Sequence, residues 1–361
     1  MALPSCTECS RKAACERAPV VAHSMERAWH LLLGGVLLLA LGSALLVAPP
    51  AGSSVVNAPQ EGTWTTFANG DDVQALAVEG DVVWAGTRAG GAVRWDTTDD
   101  TYVQYLYPQD GLSCNDVRDI AIDSAGNKWF ATCRGLSVLN DGGTADKGDD
   151  VWTTYSTASS GLPHDDVTAV AVDSTGKVWL GTNGGGVASF DGQEWTIYTR
   201  ENTDPDGEEP WTGLQANQIF ALIVDDTDRV WMAYGMEGYG VSVYDGSIWT
   251  HYTTQNSCLA SDKVMAMAPG MGGVWLGTWG WGVTFIGSCG CVSYTTADGL
   301  GSNYVLAIAV GQDGRVWFGL GTSGGGGRGV SVLDGASTPC DKGDDTWTLY
   351  NEENSDLVDD R

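Results

Sequence analysis

The sequence predicts an all-β protein, a β-propeller of four-stranded blades with six complete blades plus an N-terminal strand of a seventh. Three observations carry this. The string Val-Trp-x-Gly-Thr recurs with variants as VWAGT (Val83 to Thr87), KWFAT (Lys128 to Thr132), VWLGT (Val178 to Thr182), VWMAY (Val230 to Tyr234), VWLGT (Val274 to Thr278) and VWFGL (Val316 to Leu320). Its tryptophans Trp84, Trp129, Trp179, Trp231, Trp275 and Trp317 stand 45, 50, 52, 44 and 42 residues apart, the spacing of propeller blades rather than of a helical repeat with a 3.6-residue apolar period. The 361 residues include 50 glycines, about twice the usual share of roughly 7%, as many tight turns require.

The chain begins with a segment of another kind. Residues 31–48, LLLGGVLLLALGSALLVA, form an apolar run after Met25-Glu26-Arg27 and before Pro49-Pro50. Residues 1–60 therefore read as an export signal or signal anchor with a Pro/Gly/Ser linker, and 61–361 as the propeller. A start at Met25 would leave an ordinary charged region before the apolar run. Cys6 and Cys9 have half the spacing of a zinc site, but no second Cys or His pair lies nearby, so no metal is expected there.

Each unit reads as strands A to D. In the second they are VRDIAI (Val117 to Ile122), KWFAT, GLSVL (Gly135 to Leu139) and VWTTY (Val151 to Tyr155). Strand A is apolar enough for an innermost strand buried on both faces, whereas strand D mixes Trp and Tyr with Thr like a half-exposed edge. The Trp of strand B is expected to fill the wedge between blades. Cys114 and Cys133 flank one hairpin beyond the export segment, where disulfides persist, and are the expected pair; Cys258, Cys289, Cys291 and Cys340 cannot be paired from sequence.

The two ends suggest how the ring closes. Trp64-Thr65-Thr66-Phe67 reads as a strand D with no blade before it, and NEENSDLVDDR after Tyr350 matches the linker that elsewhere introduces a strand A. The chain is thus expected to be truncated at its C-terminus, with three further strands beyond Arg361. The alternative is a six-bladed ring with a spare edge strand.

The segments GLPHDDVTAVAVDSTGKVWLGTNGGGVASFDGQEWTIYT (Gly161 to Thr199) and GLSCNDVRDIAIDSAGNKWFAT (Gly111 to Thr132) resemble the two-component regulator propeller repeat family. The resemblance runs through every unit from about residue 61 to 361, with departures at VWMAY in the fourth and CVSY (Cys291 to Tyr294) in the fifth. It implies the periplasmic sensor part of a membrane histidine kinase, in some relatives concerned with glycan fragments, or a stand-alone secreted propeller. Exported, secreted, periplasmic and outward-facing anchored forms all agree with the N-terminal segment.

Composition narrows the partners. With 46 Asp and Glu against 18 Lys and Arg the net charge is −28, and the excess lies beyond residue 58. Such a surface repels phosphate, so nucleic acid is excluded and a membrane is met only through the N-terminal segment. In a propeller the B-to-C and D-to-A connections share one face around the channel. They hold Arg88, Arg134, Asn183, Met236, Tyr239, Trp279 and Trp281, with His164 and Trp211, and suit a small-molecule or oligosaccharide ligand or a protein partner. The acidic stretches 140–150 and 334–345 lack the full calcium-loop spacing; no cofactor is expected, with Ca2+ the one ion they suggest. Only His164 and His251 lie in the propeller, too few for a Ser-His-Asp or zinc-water apparatus. The expectation is a non-catalytic ligand-binding or sensory module. A structural or adhesive repeat protein is the alternative, and a propeller lyase or glycoside-active enzyme is less favoured.

Overall fold

In the computed structural model, residues 72–204, 213–324, 326–335, 339–355 and 357 are described. They form six antiparallel sheets of four strands, each ordered A-B-C-D along the chain, with a short α-helix at Arg200–Thr203 and a 3-10 turn at Gly235–Glu237. Strands A of blades 1 to 6 are Val73–Glu79, Val117–Ile122, Val167–Val172, Ala221–Val224, Val264–Gly270 and Tyr304–Val310. The proposed seventh-blade strand at residues 64–67 and the apolar run at 31–48 lie outside the described residues.

Strand B is the buried heart of each blade because both its faces meet protein. Its Trp points toward the next blade, and the apolar residues on either side point toward the previous one. Trp129 of blade 2 thus packs with Val178 and Leu180 of blade 3, and Trp275 of blade 5 with Val316 and Phe318 of blade 6. Each of the five seams from blade 1 to blade 6 holds one such apolar cluster. The outward faces of blades 1 and 6 keep separate clusters around Trp95 and Trp317.

The indole N–H must be paired or left dry, and the turn before strand B decides which. Where Asp stands six residues before the Trp its carboxylate accepts that N–H: Asp123 from Trp129 at 2.9 Å, Asp173 from Trp179 at 2.9 Å and Asp225 from Trp231 at 2.7 Å. Blades 1, 5 and 6 have Val78, Pro269 and Gly311 at that place, and the indole nitrogens of Trp84, Trp275 and Trp317 find no partner.

Strand D is the half-exposed edge expected of it. Strand A differs from the expectation of burial on both faces: in blade 3 Val167, Ala169 and Val170 are buried, but Thr168, Ala171 and Val172 only half so. The innermost strand borders a channel, and so part of it meets solvent.

Disulfides join Cys114 to Cys133, Cys258 to Cys291 and Cys289 to Cys340. The first ties the segment entering blade 2 to that blade's B-to-C turn. The third joins the C-to-D turn of blade 5 to the C-to-D loop of blade 6.

Candidate functional site

The strand A ladders are interrupted in the same way around the ring. In blade 1 Val73 faces Thr87 and Ala75 faces Gly86, which leaves Gln74 unpaired as a β-bulge. The same slip leaves out Arg118, Thr168, Met265 and Leu306 in blades 2, 3, 5 and 6. In blade 4 Phe220 holds this place just before strand A, its N–H donating to the Ala233 carbonyl at 2.9 Å. A bulge bends the strand and re-aims the extra side chain. All six of these residues line one cavity of ≈ 920 Å³ at the channel, within the usual size of ligand pockets.

The ring is divided chemically. Blades 1 to 3 supply Gln74, Arg118 and Thr168, and blades 4 to 6 supply Phe220, Met265 and Leu306. On the polar arc the groups hold one another. The Gln74 side-chain amide donates to Asp116 at 2.6 Å, the Arg118 guanidinium pairs with Asp116 at 3.2 Å and also with Asp166, and Asn183 donates to Asp166 at 2.8 Å. The Thr168 hydroxyl donates to the Ile219 carbonyl at 2.7 Å. Such a preorganised network keeps its donors and acceptors at fixed positions.

One residue deeper runs a second ring: Ala75, Asp119, Ala169, Ala221, Ala266 and Ala307, all lining the same cavity. Five alanines leave room; Asp119 breaks the pattern. Its carboxylate oxygens accept the N–H groups of Ile120 and Val170, each at 2.9 Å, the second from the neighbouring blade. Burial pushes its pKa up to about 7, against the opposing pull of those two hydrogen bonds.

Of the residues singled out in the sequence, Arg88, Asn183 and Met236 line the cavity. Arg88 is largely exposed and pairs with Asp72 at 3.5 Å. The others lie outside the lining. Arg134 sits over the Tyr107 ring at 5.6 Å, Tyr239 packs edge-on against Tyr234, and Trp279 packs edge-on against Tyr304 at 5.3 Å. Trp281 is 64% exposed, and His164 accepts the Asp166 N–H through Nδ1 at 3.0 Å. Trp211 lies outside the described residues. His251 bonds Ser242 at 3.0 Å, but that hydroxyl is fully buried within blade 4.

The acidic C-to-D loops act on neighbouring blades. Lys147 in the first reaches Asp110 at 2.8 Å and lies over the Tyr105 ring; Lys342 in the second reaches Asp298 at 2.8 Å and lies over Tyr294. Among the described residues no group of three or more His, Cys, Asp or Glu side chains is placed to hold a metal ion.

The bulge ring itself was missed by sequence reasoning. Its signal is the residue that follows Val73, Val117, Val167, Ile219, Val264 and Val305, which is Gln, Arg, Thr, Phe, Met and Leu in turn, and it emerges only when the blades are aligned on that Val or Ile.

Residues 161–184 and 299–322 match the family model described as two component regulator propeller. No curated protein matches the chain. Among solved structures, YCF48 from Cyanidioschyzon merolae is 15% identical over 80% of this chain and 87% of that one, with a TM-score of 0.54. The WD40 repeats of RRP9 are 15% identical over 78% and 80%, with a TM-score of 0.51. Both share the propeller fold. The extracellular domain of a hybrid two component system of B. thetaiotaomicron is 18% identical over 80% of this chain and 42% of that one, at a TM-score of 0.41. The chain thus spans less than half the length of the first structures it matches.

Proposed function

We propose that this chain, a propeller of the two component regulator repeat type, is the extracytoplasmic ligand-binding part of a sensory system, and that its ligand sits in the channel mouth on the bulge ring. The observation that carries the reading is the convergence of five bulge-borne side chains and Phe220 at the corresponding place in blade 4, one from each blade, on a single cavity. A bulge that served packing alone would turn its side chain into a seam. Here each borders the cavity at the channel, beside a second ring that is alanine in five of the six blades. An uncharged solute suits the site, since the charges on its polar arc already pair with one another. The reading needs no catalytic group and no cofactor.

The test is thermal unfolding of the purified protein against a panel of soluble oligosaccharides, polyols and amino acids, since a ligand that binds only the folded state raises Tm. A raised Tm that Arg118→Ala and Thr168→Val both diminish supports the site. A panel with no effect would favour a structural or adhesive role.

A further inference from the structure

We infer that the ligand is an amphiphile, with an uncharged head bearing hydroxyls or amides over blades 1 to 3 and a hydrocarbon portion over blades 4 to 6. This rests on the reading of the channel mouth as the ligand site and adds the chemical class. Apolar side chains left in water are ordinary when scattered and informative when they converge. Phe220, Met236 and Leu306 are 46%, 48% and 41% exposed and line the same cavity. Met265 lies between them in ring order, half-buried. The other exposed large apolar residues include Tyr102, Val151 and Ile197 on outer strands D, each in a different blade.

The two arcs make different demands. A free sugar would satisfy the polar arc and leave the apolar arc wet. A plain hydrocarbon would cover Phe220, Met265 and Leu306 and strip water from Gln74, Arg118 and Thr168 without replacing it, which is unfavourable for polar groups. An anionic head would meet Asp116, Asp119 and Asp166 around an Arg118 that is already engaged by two of them. A molecule with a neutral hydrogen-bonding end and an alkyl end meets both arcs at once. The thioethers of Met236 and Met265 add side chains that adapt to an irregular alkyl shape.

The probe is octyl β-glucoside below its micelle threshold, titrated calorimetrically into the whole chain beside hexyl β-glucoside and glucose. Burial of a methylene is worth roughly a fourfold gain in affinity, so octyl glucoside is expected to bind at least about tenfold tighter than glucose, with hexyl glucoside between. The double variant Met265→Gln, Leu306→Gln is expected to lose at least about tenfold, and Val151→Gln, an exposed apolar site away from the channel, to lose nothing. Equal affinity for glucose and octyl glucoside would overturn the inference, as would octyl glucoside binding that the double variant leaves intact. If octyl glucoside fails while another solute of the panel binds at the ring, the amphiphile falls and the site stands. If neither binds, both readings fall together.

Discussion

The Lys128 ammonium donates to the Asp141 carboxylate at 2.7 Å in the seam between blades 1 and 2, with 1% and 3% of the two side chains exposed. Lys128 stands where five other blades have Val in the Val-Trp-x-Gly-Thr string. Glu79 at 2.8 Å completes its charge partners, it lies over the Trp84 ring, and Arg94 approaches Asp141 from the other side at 3.8 Å. A buried ion pair adds little over apolar packing, but removal of one partner strands the other. Lys128→Met is therefore expected to cost about 3 kcal/mol in urea unfolding. The double variant Lys128→Val, Asp141→Leu should recover at least half of that. A single variant that unfolds like the wild type would show that the pair is not the hinge of this seam.

The Asp before strand B carries a second expectation. Asp173 accepts the Trp179 indole N–H and the N–H groups of Thr175 and Lys177. Burial works against its ionised form, yet hydrogen bonds from Thr175 and Trp179 prevail and hold its pKa below the usual carboxylate range. Asp173→Ala leaves the indole N–H dry and should cost about 1–3 kcal/mol at pH 7. The ionised form stabilises above the ordinary value of 3.8 and its contribution fades as pH falls through the lowered one. The variant and wild type should thus converge in acid, which denaturation at pH 7 and pH 3 would read directly.

Asp119 has the opposite sign. Its pKa is raised from 3.8 to about 7 in the fold, so the stability held by its protonated form is complete below 3.8 and is lost as pH rises through 7. Arg88, Asp116, Arg118 and Glu237 line the same cavity, and Asp166 pairs with Arg118 at its mouth. Asp119→Ala, which copies the residue of the other five blades, is expected to gain on the wild type as pH climbs from 5 to 8. Tm curves that stay parallel across that window would refute the assignment.

Gly282 tests the turn between strands B and C of blade 5. Its φ is +84°, and a Cβ there would fall on the Tyr294 carbonyl oxygen. Gly282→Ala should cost about 3 kcal/mol, since it combines a left-handed backbone with a clash against main chain. Gly192, with φ +94° and open space around its Cβ position, should cost only about 1 kcal/mol as Ala. Chemical denaturation of the two variants side by side separates strain from collision.

Much of the fold was legible because a propeller repeats one physical solution. The Trp of strand B fills the same wedge in every seam, so a five-residue string suffices to place each blade. The site was less legible. A bulge adds one residue without changing the apolar look of a strand, and Val-Met-Ala-Met-Ala at Val264 reads as continuous core until its Met265 is seen to stand outside the ladder. Trp279 and Trp281 drew attention as a pair of large rings, yet neither is among the cavity's lining residues, and Trp279 packs edge-on against Tyr304. The acidic loops were read for their oxygens, whereas their lysines, Lys147 and Lys342, make the contacts that matter to the blade before them.

The Cys289–Cys340 bond gives the sixth blade a different status from the rest. Blades that touch only their neighbours can lose order one unit at a time. With the outer edges of blades 5 and 6 riveted together, neither can peel from the other alone, and loss of order at this seam must take two sheets at once. Reduction of this single bond should uncouple them, turning one cooperative block into two that open separately under load.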